Sequence, residues 1–151
     1  MDFPGVRALD NVDFVLQRGE IHAIVGENGA GKSTLIKVLA GAYRPTSGRI
    51  FIDGAETHIT DPRHGLACGI GVVYQERALV PSLTAVQNIL LGHEPARFGV
   101  LDSGAMRARA REALDMMAVS VPLDVPVGEL SAGDQQLTEI AKIALLEPRI
   151  M

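Results

Sequence analysis

Residues 21–39 read Ile-His-Ala-Ile-Val-Gly-Glu-Asn-Gly-Ala-Gly-Lys-Ser-Thr-Leu-Ile-Lys-Val-Leu, with three glycines between Gly26 and Ser33 separating two apolar runs. The first run, Ile21 to Val25, is short, nearly continuous and ends in glycine. That is the pattern of a strand buried on both faces of a parallel sheet. The second belongs to a helix predicted over Ser33 to Ala40, which Gly41 stops. Gly26, Gly31, Lys32 and Ser33 fit G-x-x-x-x-G-K-[ST], and they have the preceding strand and following helix that a phosphate-binding loop requires. The chemistry follows from crowding. A polyphosphate needs donors closer than side chains permit, so the backbone N–H groups of Glu27, Asn28, Gly29, Ala30 and Gly31 are turned inward, and glycines supply the unusual backbone angles. The N-terminus of the helix, through Lys32, Ser33 and Thr34, adds unpaired N–H groups and about half a positive charge. Lys32 is then placed for the β- and γ-phosphates and Ser33 for Mg²⁺. Taken alone, such a loop leaves open a small-molecule kinase, a GTPase, a motor ATPase and a transporter ATPase.

Working outward, Val12, Phe14 and Leu16 alternate as a half-buried strand before the turn Arg18-Gly19. A turn at Pro45 to Gly48 leads to a strand at Ile50 to Ile52. Asp61-Pro62 reads as an N-cap and first-turn proline of a short helix ending near Gly69. Ile70 to Tyr74 is a second buried-strand candidate, followed by a polar break at Gln75-Glu76-Arg77. Ser82 is placed to cap a helix over Leu83 to Leu91. Between about 102 and 119, Met106, Ala110, Ala113, Leu114 and Met117 recur at helical spacing as a core stripe, with Arg107, Arg109 and Arg111 on other faces. After a proline-rich connector at 121–126, Ser131 opens a last helix with apolar Leu137, Ile140, Ala141, Ala144 and Leu145, and Pro148 ends it.

The chain has 151 residues, a net charge of −4 and one cysteine. Such a charge provides no field for gripping nucleic acid, and no nucleic-acid partner is expected. The apolar runs are far shorter than the ~20 residues of a membrane helix. Cys68, between Ala67 and Gly69, reads as a packed small residue with no partner for an internal disulfide.

Three stretches, 3–54, 71–92 and 130–148, resemble in order and interval the ATPases of ABC transporters, and more narrowly the first ATPase cassette of the ribose, galactose and xylose type of monosaccharide importer. The resemblance implies an α/β P-loop NTPase fold with a mainly parallel sheet, an N-terminal antiparallel β element and a helical subdomain. Residues 1–78 would form the nucleotide-binding core and antiparallel part, and 79–145 the helical subdomain with its signature loop. ATP and Mg²⁺ are the implied cofactors. Gln75 matches the glutamine that touches Mg²⁺ and the attacking water, an amide being able to accept and donate together. Leu130 to Asp134 matches the signature loop, in which Ser131 and Gly133 donate to the γ-phosphate held by a second cassette in a head-to-tail dimer. Ala132 and Asp134 depart from the commonest residues there, and a carboxylate at Asp134 favours the helix N-terminus yet repels a phosphate. Phe3 aligns with an aromatic that stacks on adenine, and Val6 with a neighbouring contact.

The implied partners are transmembrane permease subunits, met through Glu76 to Gly92, the second cassette and, indirectly, a periplasmic sugar-binding protein. The implied place is peripheral, on the cytoplasmic side of the inner membrane. The family's metal-ordering aspartate, water-polarising glutamate and switch histidine would all follow Met151. His22, His58, His64 and His93 precede the signature and read as surface or structural residues. The chain therefore reads as part of a cassette with an incomplete core and no catalytic base. That leaves two alternatives: an ATP-hydrolysing importer subunit for the parent, and a nucleotide-binding fragment without turnover. A small-molecule kinase would lack the stretch Leu130 to Gln136.

Overall fold

In the computed structural model, which describes residues 1–74 and 78–151, four of the five α-helices begin on a side-chain cap. Asp61 caps α2 (Pro62–Ala67) by accepting the His64 N–H at 3.0 Å, as the Asp-Pro pair predicts. Asp102 caps α4 (Ser103–Met116), accepting from Ala105 at 2.9 Å, and Ser131 caps α5 (Ala132–Ala144), accepting from Asp134 at 3.1 Å. The helix predicted from Ser82 starts later, as α3 (Ala85–Ile89), and Thr84 is its cap. The reason lies three residues on. Gln87 returns a bond to the Thr84 N–H at 2.9 Å, closing a reciprocal capping box, whereas the residue three after Ser82 is Ala85, which has nothing to return. Only α1 (Lys32–Leu39) lacks a side-chain cap.

The described residues divide into two units, 1–70 and 71–151. In the first, β1 (Asp2–Phe3) pairs antiparallel with β2 (Val6–Arg7), and β3 (Phe51–Ile52) pairs with β4 (Ala55–Glu56) across Asp53-Gly54, whose φ values of 50° and 79° suit a tight hairpin. These form the expected antiparallel element. The C-terminal end of α1 packs against the start of α2 and the chain before it, and only glycines fit there. A Cβ on Gly65 would lie 2.6 Å from the Ala40 carbonyl oxygen, and one on Gly41 would lie 2.5 Å from that of Asp61.

The runs predicted as strands at 12–16, 21–25 and 70–74 form no ladder among the described residues, where every sheet is a two-stranded antiparallel pair. Ile21 is 100% exposed and Val25 90%, so the expected burial on both faces is not realised in this chain. A parallel strand is held by neighbouring strands and by helices on each face. Residues 12–16 and 21–25 instead fold back on each other through a turn in which the Glu20 N–H donates to the Gln17 carbonyl at 3.2 Å. The Phe14 and His22 rings meet edge-on at 5.0 Å. Of the third run, the Gly71 N–H donates to the Ile150 carbonyl at 2.8 Å.

The second unit has the better core. Met106, Ala110, Ala113 and Leu114 of α4 are buried as the stripe predicts, and they join Ala85, Val86, Ile89 and Leu90 around α3 with Ala141 of α5. Arg107, Arg109 and Arg111 are exposed. Burying each large aliphatic side chain contributes roughly 1.5–3 kcal/mol, so this cluster dominates the unit. Between α3 and α4 lies a hairpin that the sequence reading missed, β5 (Ala96–Arg97) paired with β6 (Val100–Leu101). A 3₁₀ turn, Val127–Glu129, precedes α5.

Candidate functional site

The uncapped helix is the one that follows the glycine-rich loop. Its N-cap is Gly31, in the left-handed region at φ 87°, and no side chain satisfies the first turn. The N–H groups of Lys32, Ser33 and Thr34 have no backbone acceptor among the described residues, and the first bond into the helix is Leu35 N–H to the Gly31 carbonyl at 2.9 Å. Among the described residues, every other α-helix offers its first turn a carboxylate or hydroxyl. This one holds three donors unpaired beside the positive end of the helix dipole, which is the electrostatic form of an anion site.

Two features fix the loop's shape. Gly31 must be glycine twice over: its φ is positive, and a Cβ would lie 2.4 Å from the Ala8 carbonyl oxygen and 2.9 Å from Leu9 Cδ2. The segment following the β1–β2 hairpin is therefore pressed against the end of the loop. Lys32 folds back over the loop, its Nζ donating to the carbonyls of Gly26 at 2.6 Å and Glu27 at 2.8 Å. Gly29 is also left-handed, at φ 86°, and Ala30 N–H closes a turn on the Glu27 carbonyl at 3.2 Å. A cation held on backbone carbonyls beside unpaired N–H donors can grip a polyphosphate from both sides. Ser33 is exposed. No three His, Cys, Asp or Glu side chains gather into a metal cluster among the described residues.

Phe3 lies in β1, partly exposed, with its ring edge-on to Tyr43 at 5.3 Å, and Lys37 lies 5.4 Å from the Tyr43 ring. The N-terminal hairpin is anchored rather than frayed, since the terminal amine donates to the Leu9 carbonyl at 2.8 Å. In the second unit, the Ser131 hydroxyl donates to Asp134 Oδ2 at 2.7 Å and accepts the Asp134 N–H at 3.1 Å, so Asp134 occupies it in both directions. Ala132 and Gly133 keep N–H groups with no backbone acceptor among the described residues. Gln75 and its neighbours Glu76 and Arg77 lie outside the described residues.

The sequence reading missed two buried polar side chains that hold the segment after Gln75. Fully buried Asn88 accepts the Val80 N–H at 2.8 Å and donates to the carbonyls of Val80, Leu83 and Thr84, each at 3.1 Å. Buried Glu139 of α5 accepts the Ala78 N–H at 3.2 Å. Asn88 lies between the apolar pairs Ala85-Val86 and Ile89-Leu90, a signal that could have marked it, whereas Glu139, with Gln135, Gln136 and Lys142 as helical neighbours, carries none.

The family model for ABC transporters matches residues 9–151. The chain belongs to the ABC transporter family. Within that family it is 50% identical over 149 residues to the ribose import ATP-binding protein RbsA 1 of Rubrobacter xylanophilus, covering 99% of this chain and 30% of that one. It is 47% identical over 152 residues to the arabinose import ATP-binding protein AraG of Chromohalobacter salexigens, covering 31% of it. The chain thus spans about 30% of the length of the curated relatives it matches. Among solved structures, a dimeric ATP-binding cassette in a post-hydrolysis state bound to ADP and Pi superposes with a TM-score of 0.73 at 31% identity. That match covers 93% of this chain and 62% of the other. The fold is therefore that of an ABC ATPase cassette, an α/β P-loop NTPase with its helical subdomain present. No described helix is long and apolar enough to cross a membrane.

Proposed function

We propose that this chain is the nucleotide-binding part of the ATP-hydrolysing subunit of a sugar importer, and that the loop Gly26 to Ser33 takes the phosphates of ATP. The observation that carries this reading is the uncapped start of α1, with three unpaired N–H groups and the Lys32 amine together on one loop. Lys32 exchanges its two carbonyl acceptors for the outer phosphates. The N–H groups of Lys32, Ser33 and Thr34 take the charge that the dipole favours. Mg²⁺ would be held by the Ser33 hydroxyl and Gln75, and when bound it supplies charge neutralisation between the phosphates. Phe3 is the proposed adenine contact. Ser131 and Gly133 are proposed to meet the phosphate of a second cassette.

Likeness to ribose and arabinose import proteins over nearly the whole chain supports a monosaccharide as the transported substrate and a peripheral place at the cytoplasmic face of the membrane. A permease subunit is the proposed partner, with a periplasmic sugar-binding protein acting further upstream. The expected permease surface, Glu76 to Gly92, is narrower than its sequence suggests, because Ala85, Val86, Asn88, Ile89 and Leu90 are buried. What remains exposed includes Val80 and Pro81, beside a cavity of about 180 Å³ lined by Leu79, Pro81, Val127, Gly128 and Gln135. Uptake of labelled ribose or arabinose by cells carrying the parent gene tests the reading. Uptake abolished by Lys32→Ala is expected; uptake of neither sugar, or uptake indifferent to Lys32→Ala, would overturn it.

A further inference from the structure

The β5–β6 hairpin carries its most apolar side chains at its tip. Phe98 and Gly99 form the two-residue loop, both left-handed, with φ 53° and 80°. Such loops suit Asn-Gly or Asp-Gly, and the β3–β4 hairpin of this chain uses Asp53-Gly54. A bulky aromatic residue in that region is strained. Burial does not offset the strain, because Phe98 is 94% exposed, and Val100 and Leu101 beside it are 71% and 58% exposed. The Arg97 guanidinium lies 5.6 Å from the Phe98 ring centroid, and Arg97 has no carboxylate partner among the described residues.

The surrounding charge is basic. Residues 93–111 hold four arginines against two carboxylates, in a chain whose net charge is −4. Of those carboxylates, Asp102 caps α4, and Glu94 is held below the usual carboxylate range by the Gly92 N–H and then its own. Arg107 pairs with Asp124. Arg109 donates to the His93 carbonyl at 3.4 Å, which ties α4 to the base of the hairpin.

We propose that the hairpin tip docks on an anionic lipid surface, with the Phe98 ring at headgroup level and Arg97 on the lipid phosphates. This rests on the reading of the chain as a subunit that works at a membrane. A six-residue hairpin provides far less than the roughly 800 Å² per partner of a specific protein interface. A bilayer asks less: apolar side chains such as Phe or Leu set into the headgroup boundary, with cations facing the anionic lipids. The contact is weak alone and adds to the hold of a permease.

Flotation of the chain with vesicles of phosphatidylcholine, and with vesicles also containing phosphatidylglycerol, tests this. Phe98→Asn is the variant, because Asn tolerates the left-handed loop. The chain should float with the anionic vesicles, and Phe98→Asn should lower that binding about tenfold while leaving the unfolding midpoint equal or higher. Binding that is equal in both vesicle types, unchanged in Phe98→Asn, or absent would overturn the proposal. So would self-association that depends on Phe98 in place of vesicle binding. ATP binding measured on the same variant separates the two readings: it should be unaltered by Phe98→Asn whichever way flotation falls.

Discussion

The Ser131 hydroxyl lies 2.7 Å from Asp134 Oδ2, and the Asp134 N–H donates back to it at 3.1 Å. A phosphate arriving at this end of α5 meets a hydroxyl already engaged and a carboxylate beside it. Asp134→Ala removes both obstacles and forgoes about 0.5 kcal/mol of helix-dipole stabilisation. Sedimentation with ATP should therefore reveal stronger pairing of copies in Asp134→Ala, together with a slightly lower unfolding midpoint. Unaltered pairing would mean that Ser131 does not face nucleotide in the pair.

Gly31→Ala should damage the loop more than any other single methyl. Its left-handed φ costs roughly 1–2 kcal/mol for an L side chain, and the new Cβ would collide with the Ala8 carbonyl. Thermal unfolding should report a loss of about 2 kcal/mol or more, with nucleotide binding lost as well. A chain that tolerates the change at full stability would contradict the packing of residues 8 and 9 on the loop.

In the helical unit, Asn88→Ala leaves the Val80 N–H without its acceptor, while the carbonyls of Val80, Leu83 and Thr84 each lose one donor and keep a backbone N–H. At about 1–3 kcal/mol for an unsatisfied buried donor, plus the cavity, a loss near 3 kcal/mol is expected in denaturant titration. The Val80 amide should also lose its hydrogen-exchange protection. Retained protection would place the support of this segment elsewhere.

Asp61 supplies a pH dependence. The His64 N–H, then the Thr60 hydroxyl, hold its carboxyl below the usual carboxylate range. A depressed folded-state value means that the cap contributes above the unfolded value, near pH 3.9, and is lost as pH falls through the folded one. Between neutral pH and about pH 3, the unfolding midpoint should fall less in Asp61→Asn than in the unsubstituted chain. Parallel pH curves would exclude the cap as a source of acid sensitivity.

The parts of the fold that could be read from sequence are those whose cause is local. Gly31, Asp61-Pro62 and Ser131 each dictate a backbone angle or a cap within four residues, and α1, α2 and α5 begin where those residues say. What was misread depends on distant chain. Ile21 to Val25 has the residues of a doubly buried strand, but burial comes from neighbours, and in this chain the run lies open. Phe98 gave no turn signal because an aromatic is the wrong residue for that loop. Asn88 and Glu139 resemble solvent-facing helix residues until the segment they hold is seen against them. The shape of the loop before α1 was legible because it is carried by backbone geometry, which glycine positions record directly.

The most direct test of the central claim is an equilibrium titration of the chain with ATP, set against Lys32→Ala. If the uncapped N-terminus of α1 and the Lys32 amine form the phosphate site, binding should be saturable, one to one, and weakened about ten- to a hundredfold by the substitution, the equivalent of about 1.5–3 kcal/mol. Equal affinity in the two chains would contradict it and leave the loop a structural turn.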